Sequence, residues 1–218
     1  MLDDRLRCAA ALVRPGSRVA DIGTDHAYLP LYLVEQGICP AAIASDIRPG
    51  PAAIARRNVE AAGLSGRIDV RLGDGLSSIS PDEVDDILIA GMGGETIAAI
   101  LQAAGWVKHS HYRLVLQPMT RPEQLRRWLL TNGFSLRTER MVRDGRHLYT
   151  IMAADYTGAA AVTDEAAYYI GALGPDGQDF LEKEIHRLRQ QEQGCRMAGK
   201  ATQAARLQQL LERLEESL

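Results

Sequence analysis

A chain of 218 residues, 46% hydrophobic and 24% charged, has the make-up of a globular protein with one full-sized core and an appendage. Its net charge of −3 excludes a strong overall field for polyanions, and no segment approaches the roughly 20 consecutive apolar residues of a membrane helix. Cys8, Cys39 and Cys195 lie far apart without metal-ligand spacing, so a disulfide framework and a zinc site are both excluded, no metal is expected, and a cytoplasmic protein with reduced thiols is.

Apolar positions at helical spacing (Leu2, Leu6, Ala9, Ala10, Val13) predict a short leading helix that Pro15-Gly16 ends. The stretch Val19 to Pro30, VADIGTDHAYLP, then reads as strand, tight turn and helix. Its strand covers Arg18 to Ile22, its turn holds Thr24-Asp25-His26, and its helix runs from Ala27 toward Gly37. A second strand, Ala41 to Ile47, precedes a helix opening at Pro49-Gly50-Pro51 and stopped by Gly63. A third, Ile68 to Leu72, leads into Gly73-Asp74-Gly75. A fourth, Ile87 to Ala90, stops at Gly91-Met92-Gly93-Gly94 before a helix from Glu95 to Ala104. A fifth, Arg113 to Leu116, is expected to break at Gln117-Pro118, ahead of a helix from Pro122 to Asn132. The period then changes to two, so that Phe134 to Val142 and His147 to Asp155 form a hairpin about Asp144-Gly145. Five strand–helix repeats closed by a hairpin predict an α/β fold of the class I methyltransferase type: a Rossmann-like, mostly parallel sheet with one antiparallel edge strand.

Small residues at Thr157-Gly158 mark a linker, dividing the chain into residues 1–156 and 157–218. The second part predicts a short helix over Asp164 to Leu173, a break at Gly174 to Gly177, and helices over Phe180 to Gln193 and Ala201 to Leu218 joined by a turn at Gly194 to Gly199. Leucines spaced three and four apart suit an α-helical, coiled-coil-like extension, with a cap packed on the sheet as the alternative. From Thr157 onward there are 7 Lys and Arg against 10 Asp and Glu. By contrast, Arg121 to Arg146 holds seven arginines (121, 126, 127, 137, 140, 143, 146) against Glu123, Glu139 and Asp144, a local surplus able to steer a polyanion.

The chemistry-bearing residues sit just past the carboxyl ends of the predicted parallel strands, where open α/β sheets bind ligands. In VADIGTDHAYLP, Asp25 and Ala27 stand where a dinucleotide loop would carry glycines, which disfavours a pyrophosphate and a nicotinamide dehydrogenase. S-adenosylmethionine (SAM), a nucleoside cofactor without phosphates, fits better, with Asp21 and Gly23 building its site. Asp46 can accept both ribose hydroxyls, and Asp74 the adenine amino hydrogens while Gly75 lets the backbone approach the ring. Gly91, Gly93 and Gly94 clear side chains from where cofactor and substrate meet; close packing is the plainer reason for such a run. His26 beside a carboxylate suits a hydrogen-bonded structural role as well as a base. Tyr28 is expected in the core, while Trp128 is left open between core and base stacking.

These residues, read as VADIGTDHAYLP, Gly50-Pro51, VRLGDGL, IAGMGGETI, LQP and the Arg-Trp-Leu of the following helix, resemble the bacterial tRNA adenine-N1 methyltransferases acting on adenosine 22, in order from Leu6 to Asp155. One departure is Met119, where that family usually has Asn after LQP. The resemblance implies SAM-dependent methylation of adenosine N1 in tRNA. It implies that Gly23, Asp25 and His26 border the methionine part of SAM, Asp46 the ribose, Asp74 and Gly75 the adenine, and Gly91 and Met92 the reaction centre with Gly93 and Gly94 toward the substrate. It also suits a helical C-terminal domain that helps hold tRNA. Asp25 is the candidate catalytic residue, and Arg121, Arg126, Arg127, Arg143 and Arg146 are candidate RNA contacts. A monomer is the expected state. The alternatives are methylation of another RNA or a small molecule, or a non-catalytic SAM- or RNA-binding protein.

Overall fold

Strands that are apolar on both faces form the centre of the molecule. In the computed structural model, which describes residues 2–145, 147–161, 164–171 and 177–218, β1 (Val19–Ile22) and β2 (Ala42–Asp46) are buried throughout. β3 (Ile68–Leu72), β4 (Asp86–Gly93), β5 (Arg113–Thr120), β6 (Phe134–Asp144) and β7 (His147–Tyr156) complete a seven-stranded sheet of order β3-β2-β1-β4-β5-β7-β6. The first five strands are parallel, and β7 runs antiparallel to both β5 and β6. The antiparallel strand is therefore second from the edge and not the edge strand that the sequence pattern predicts; a hairpin whose return strand pairs with β5 leaves β6 outermost.

Period-two alternation sends side chains to two helix-covered faces. Ala20, Ile22, Ile87, Ile89, Leu114 and Leu116 pack with α4 (Gly94–Ala103) and α5 (Pro122–Thr131) on one face. Val19, Ala42, Leu88 and Val115 pack with α1 (Asp4–Ala10), α2 (Tyr28–Glu35) and α3 (Pro49–Ala61) on the other. At the amino edge, the fully buried Asp86 carboxylate accepts hydrogen bonds from the Arg14 backbone N–H (2.8 Å) and Nε (2.6 Å), tying the approach to β1 onto β4.

Two strands outrun their expected ends. β4 continues to Gly93 past a register shift between Ala90 and Met92, and β5 continues through Pro118. Pro118 lies past the end of the β5–β7 pairing at Leu116 and at a shift in the β4–β5 register, the edge and bulge positions at which a strand proline is tolerated.

The chain divides into two compact units, Met1–Ala161 and Val162–Leu218. The division falls later than the expected linker because Thr157 and Gly158 donate to the Gly133 carbonyl, and Ala161 N–H to the Leu130 carbonyl. In the second unit, α6 (Glu165–Ile170), α7 (Gly177–Met197) and α8 (Ala201–Glu215) share an apolar cluster of Leu181, Ile185, Leu188, Leu210, Leu211 and Leu214. Pairing of Arg189 with Glu215 and of Arg196 with Gln208 makes α7 and α8 an antiparallel hairpin. The expected turn at Gly194 to Gly199 is a correction: α7 runs through Gly194, and the stop is Gly199 at φ +70°, where Lys200 N–H bonds the Cys195 carbonyl. The expected break at Gly174 to Gly177 lies mostly outside the described residues.

Candidate active site at the carboxyl edge

The parallel register brings the separated motifs to one edge. Ile22 lies beside Ser45 and Ile89, Asp46 beside Leu72, and Ala90 beside Gln117, so the residues following each come off the sheet together. Strand order reverses between β1 and β4, the crevice position at which such sheets bind ligands.

The loop after β1 is strapped down at both ends. Gly23 N–H (2.8 Å) and Thr24 N–H (2.9 Å) both donate to the Ser45 carbonyl, and Asn58 Nδ2 donates to the His26 carbonyl (2.9 Å). His26 (φ +60°) and Ala27 (φ +59°) are both left-handed, an unfavourable pair of non-glycine conformations that the straps maintain. This double twist delays the helix to Tyr28 and turns the tyrosine outward. Tyr28 is 48% exposed, a correction to its expected place in the core, and its ring meets His26 edge-on at 5.5 Å. Asp25 projects into solvent at 81% side-chain exposure, with His26 Nε2 at 3.5 Å.

A cavity of about 560 Å³ opens here. Asp21, Gly23, Asp25 and Tyr28 line it from the β1 side, Ala90, Gly91 and Met119 from β4 and β5, and Leu2, Asp3, Arg5 and Leu6 from the N-terminal segment. Burial removes Asp21 from water and pushes its carboxyl up to about 6, with Asp25 and Asp46 adding repulsion. Asp46, also buried, accepts the Arg48 N–H on one oxygen at 2.8 Å. Gly23 sits at φ +76°, a conformation that favours glycine, and the flexible end of the Met92 side chain fills the space beside its Cα.

Not every expected residue joins this cavity. Asp74 and Gly75 line a second one, of about 680 Å³, against Thr96, Ile100 and Trp106 of the α4 side. Gly94 is buried, and a Cβ there would run into the Arg121 carbonyl, so its glycine is a packing requirement between the starts of α4 and α5. Gly93 is half-buried beside Thr120. Trp128 packs on the core, stacked on Phe134 with ring centroids 5.6 Å apart, and donates to Gln102.

Among the arginines, Arg126 is a correction. Its side chain and that of Glu139 are each 1% exposed, joined at 2.6 and 2.8 Å, so it cannot reach a phosphate. Arg121, a left-handed residue at the start of α5, is exposed, as is Arg143 near the hairpin tip, and Arg127 is half-buried. Arg146 lies outside the described residues. Among the described residues, no three His, Cys, Asp or Glu side chains converge as a metal-ligand set, and no helix is long and apolar enough to cross a membrane.

Sequence reasoning passed over Arg5 and Arg48, which no motif marked, and Ile47, 60% exposed directly after Asp46.

The comparisons with known proteins agree with this geometry. A family profile described as a methyltransferase domain matches residues 2–152. The tRNA (adenine(22)-N(1))-methyltransferase of Bacillus subtilis is 40% identical over 184 residues, 84% of this chain and 76% of that protein. The chain belongs to the tRNA (adenine(22)-N(1))-methyltransferase family. The crystal structure of the B. subtilis m1A22 enzyme TrmK superposes with a TM-score of 0.91 at 31% identity, covering 99% of this chain and 98% of that one. A Streptococcus pneumoniae family member described as a putative tRNA (m1A22) methyltransferase, in complex with S-adenosyl-L-methionine, superposes with a TM-score of 0.82 at 32% identity over 97% of this chain and 100% of that one. The two superpositions span both units of the chain, the helical hairpin included.

Proposed function

We propose that this protein transfers a methyl group from SAM to N1 of adenosine 22 in tRNA. The observation that carries the reading is the cavity at the β1/β4 crossover, which combines an exposed carboxylate (Asp25), an exposed aromatic ring (Tyr28) and a side-chain-free strand exit (Gly91) beside the buried acids of a nucleoside site. Residues 1–161 are then the catalytic domain and residues 162–218 a domain that helps hold tRNA; a cytoplasmic monomer fits a tRNA-modifying enzyme.

The residues present suit SAM. The buried Asp21 carboxylate matches a cationic amino group, and Asp46 keeps an oxygen for ribose hydroxyls. Ile47 offers an apolar contact to a ring, with Asp74 and Gly75, which line the second cavity, as the proposed adenine residues. When bound, SAM supplies an electrophilic methyl group. The protein's part is then orientation: adenine N1 carries an in-plane lone pair, and holding it in line contributes several kcal/mol, roughly 7–11 in well-oriented systems. Methylation at N1 leaves the ring cationic, and Asp25 is the carboxylate at the rim able to stabilise that charge or accept a proton from the amino group. Tyr28 is placed to stack on the base. Arg121, Arg127, Arg143 and Arg146 are the proposed phosphate contacts.

Methylation of another RNA or of a small molecule is separated by substrate. Incubation with labelled SAM and bulk tRNA is predicted to label tRNA. Label incorporated equally into unrelated RNA, or none at all, would count against the assignment.

A further inference from the structure

We propose that Arg5 is a positioning residue for methyl transfer, acting through Gln117 on the backbone of Gly91. This rests on the methyltransferase reading of the cavity and deepens it, because it reaches a segment to which neither the motifs nor the mechanism assigned a task.

Gly91 is the residue at which the β4–β5 ladder is interrupted. Ala90 pairs with Gln117 and Met92 with Pro118, so Gly91 is skipped in the register, as a bulge, and sits at φ +80°. Its N–H therefore has no strand partner. It donates instead to the Gln117 side-chain oxygen at 3.0 Å. The same oxygen accepts Arg5 Nη1 at 2.6 Å, from a residue 112 positions away. Gln117 is fully buried, and its Nε2 donates to the Pro118 carbonyl at 2.9 Å. Were the carboxamide turned over, its NH₂ would face both the guanidinium and the Gly91 N–H, three donors with no acceptor. Arg5 thus joins the Gly91 N–H and the Pro118 carbonyl in selecting this orientation of Gln117, and contributes the shortest of the three bonds.

Arg5 is itself held on two further sides. Nη2 bonds Asp3 at 3.1 Å, and the guanidinium lies 5.9 Å from the centre of the Tyr149 ring on β7. Asp3 also caps α1 by accepting the Leu6 N–H at 2.7 Å. The start of α1, the hairpin and the β4 exit therefore meet at one guanidinium, and both Arg5 and Gly91 line the cavity. Asp46, Asp74 and Gly75, the ribose and adenine residues, take no part in this chain of bonds. Losing Arg5 should consequently disturb where the base meets the methyl group and leave cofactor affinity nearly intact.

The test compares wild type with Arg5→Ala and Arg5→Lys in the full chain, by methyl-transfer kinetics on tRNA, SAM titration calorimetry and amide hydrogen exchange at Gly91. For Arg5→Ala the expected result is a fall in kcat of about 10- to 100-fold, the size of effect a misplaced reacting group produces, with the dissociation constant for SAM changed less than about twofold. Gly91 amide exchange should accelerate while the amides of β1 and β2 keep their protection. Arg5→Lys, able to restore one donor to Gln117 but not the fork, should recover part of kcat and slow Gly91 exchange again. Wild-type kcat in Arg5→Ala, or unchanged Gly91 exchange, overturns the proposal. So does a loss of kcat matched by equal losses of SAM affinity and of exchange protection throughout the sheet, since that is general destabilisation. If wild type itself does not methylate tRNA, the functional reading fails, while Gly91 exchange still reports whether Arg5 holds the loop.

Discussion

Asp21, on β1, and Asp25, in the loop that follows it, are four positions apart and are made different by burial. Asp25 projects into solvent at the rim, where it can meet a base that arrives from outside. We predict that Asp25→Asn lowers kcat by about 10²- to 10⁴-fold with little change in SAM affinity, measured by single-turnover kinetics and calorimetry. Asp21 is enclosed, and its carboxyl is raised to about 6 from an ordinary 3.8. A folded-state value above the unfolded one means that the folded protein holds the proton longer. Stability from this group is therefore complete below about pH 4 and lost as pH rises through about 6. Asp21→Asn should remove that loss, leaving the unliganded variant more stable than wild type above pH 6 by on the order of 1–3 kcal/mol, read from denaturant melts at several pH values. A cationic amino group selects the charged form, so SAM affinity should weaken below about pH 6 in wild type and lose this dependence in the variant.

At this scale the sequence is informative where a residue's position follows from a strand end. Asp46 lies where the second strand is expected to stop, and its neighbour in the sheet, Leu72, precedes Asp74. It is uninformative where backbone twist or distant pairing decides. Tyr28 looks like a core residue by its neighbours, yet two consecutive left-handed residues turn it outward. Arg5 touches a side chain 112 positions away, which no local pattern encodes.

Among elements, the helices of the second unit show how a glycine misleads. Gly194 looks like a turn, but it lies within α7, exposed, with open space where a Cβ would stand. Gly199, at φ +70°, is the residue that ends the helix. Replacing Gly194 by Ala is predicted to stabilise this unit by about 0.5–1 kcal/mol, whereas Gly199→Ala should destabilise it, because an L-residue is strained at that φ. Amide exchange along α7 and α8 in the full chain checks both signs. The two overrunning strands share a cause: the sequence marks Gly91 and Pro118 as breakers, while the structure uses one as a bulge and places the other where β7 no longer pairs. Strand existence and order of motifs are legible because apolar runs and turn residues are local. The position of β7 between β5 and β6 is not, because pairing partners are chosen by the whole sheet.

For the whole molecule, a chain of net charge −3 must bind a polyanion through placed cations and not through its total charge. Charge reversal at Arg121, Arg127 or Arg143 is predicted to weaken tRNA binding and lower the slope of log affinity against log salt by about 1 for each phosphate left without its cation, measured by binding titrations across salt concentration. Arg126 is the contrast. Its removal leaves the Glu139 charge buried, which typically costs about 3–5 kcal/mol of stability, and the thermal midpoint should fall while folded protein retains its salt slope.

The central claim concerns which atom receives the methyl group. Wild-type protein, labelled SAM and tRNA with adenosine at position 22 should yield N1-methyladenosine at that nucleotide, located by nuclease digestion and mass spectrometry of the fragments. Changing that adenosine to guanosine should abolish incorporation. A methyl group found on another atom of the base or at another nucleotide, or incorporation that survives the substitution, would contradict the account.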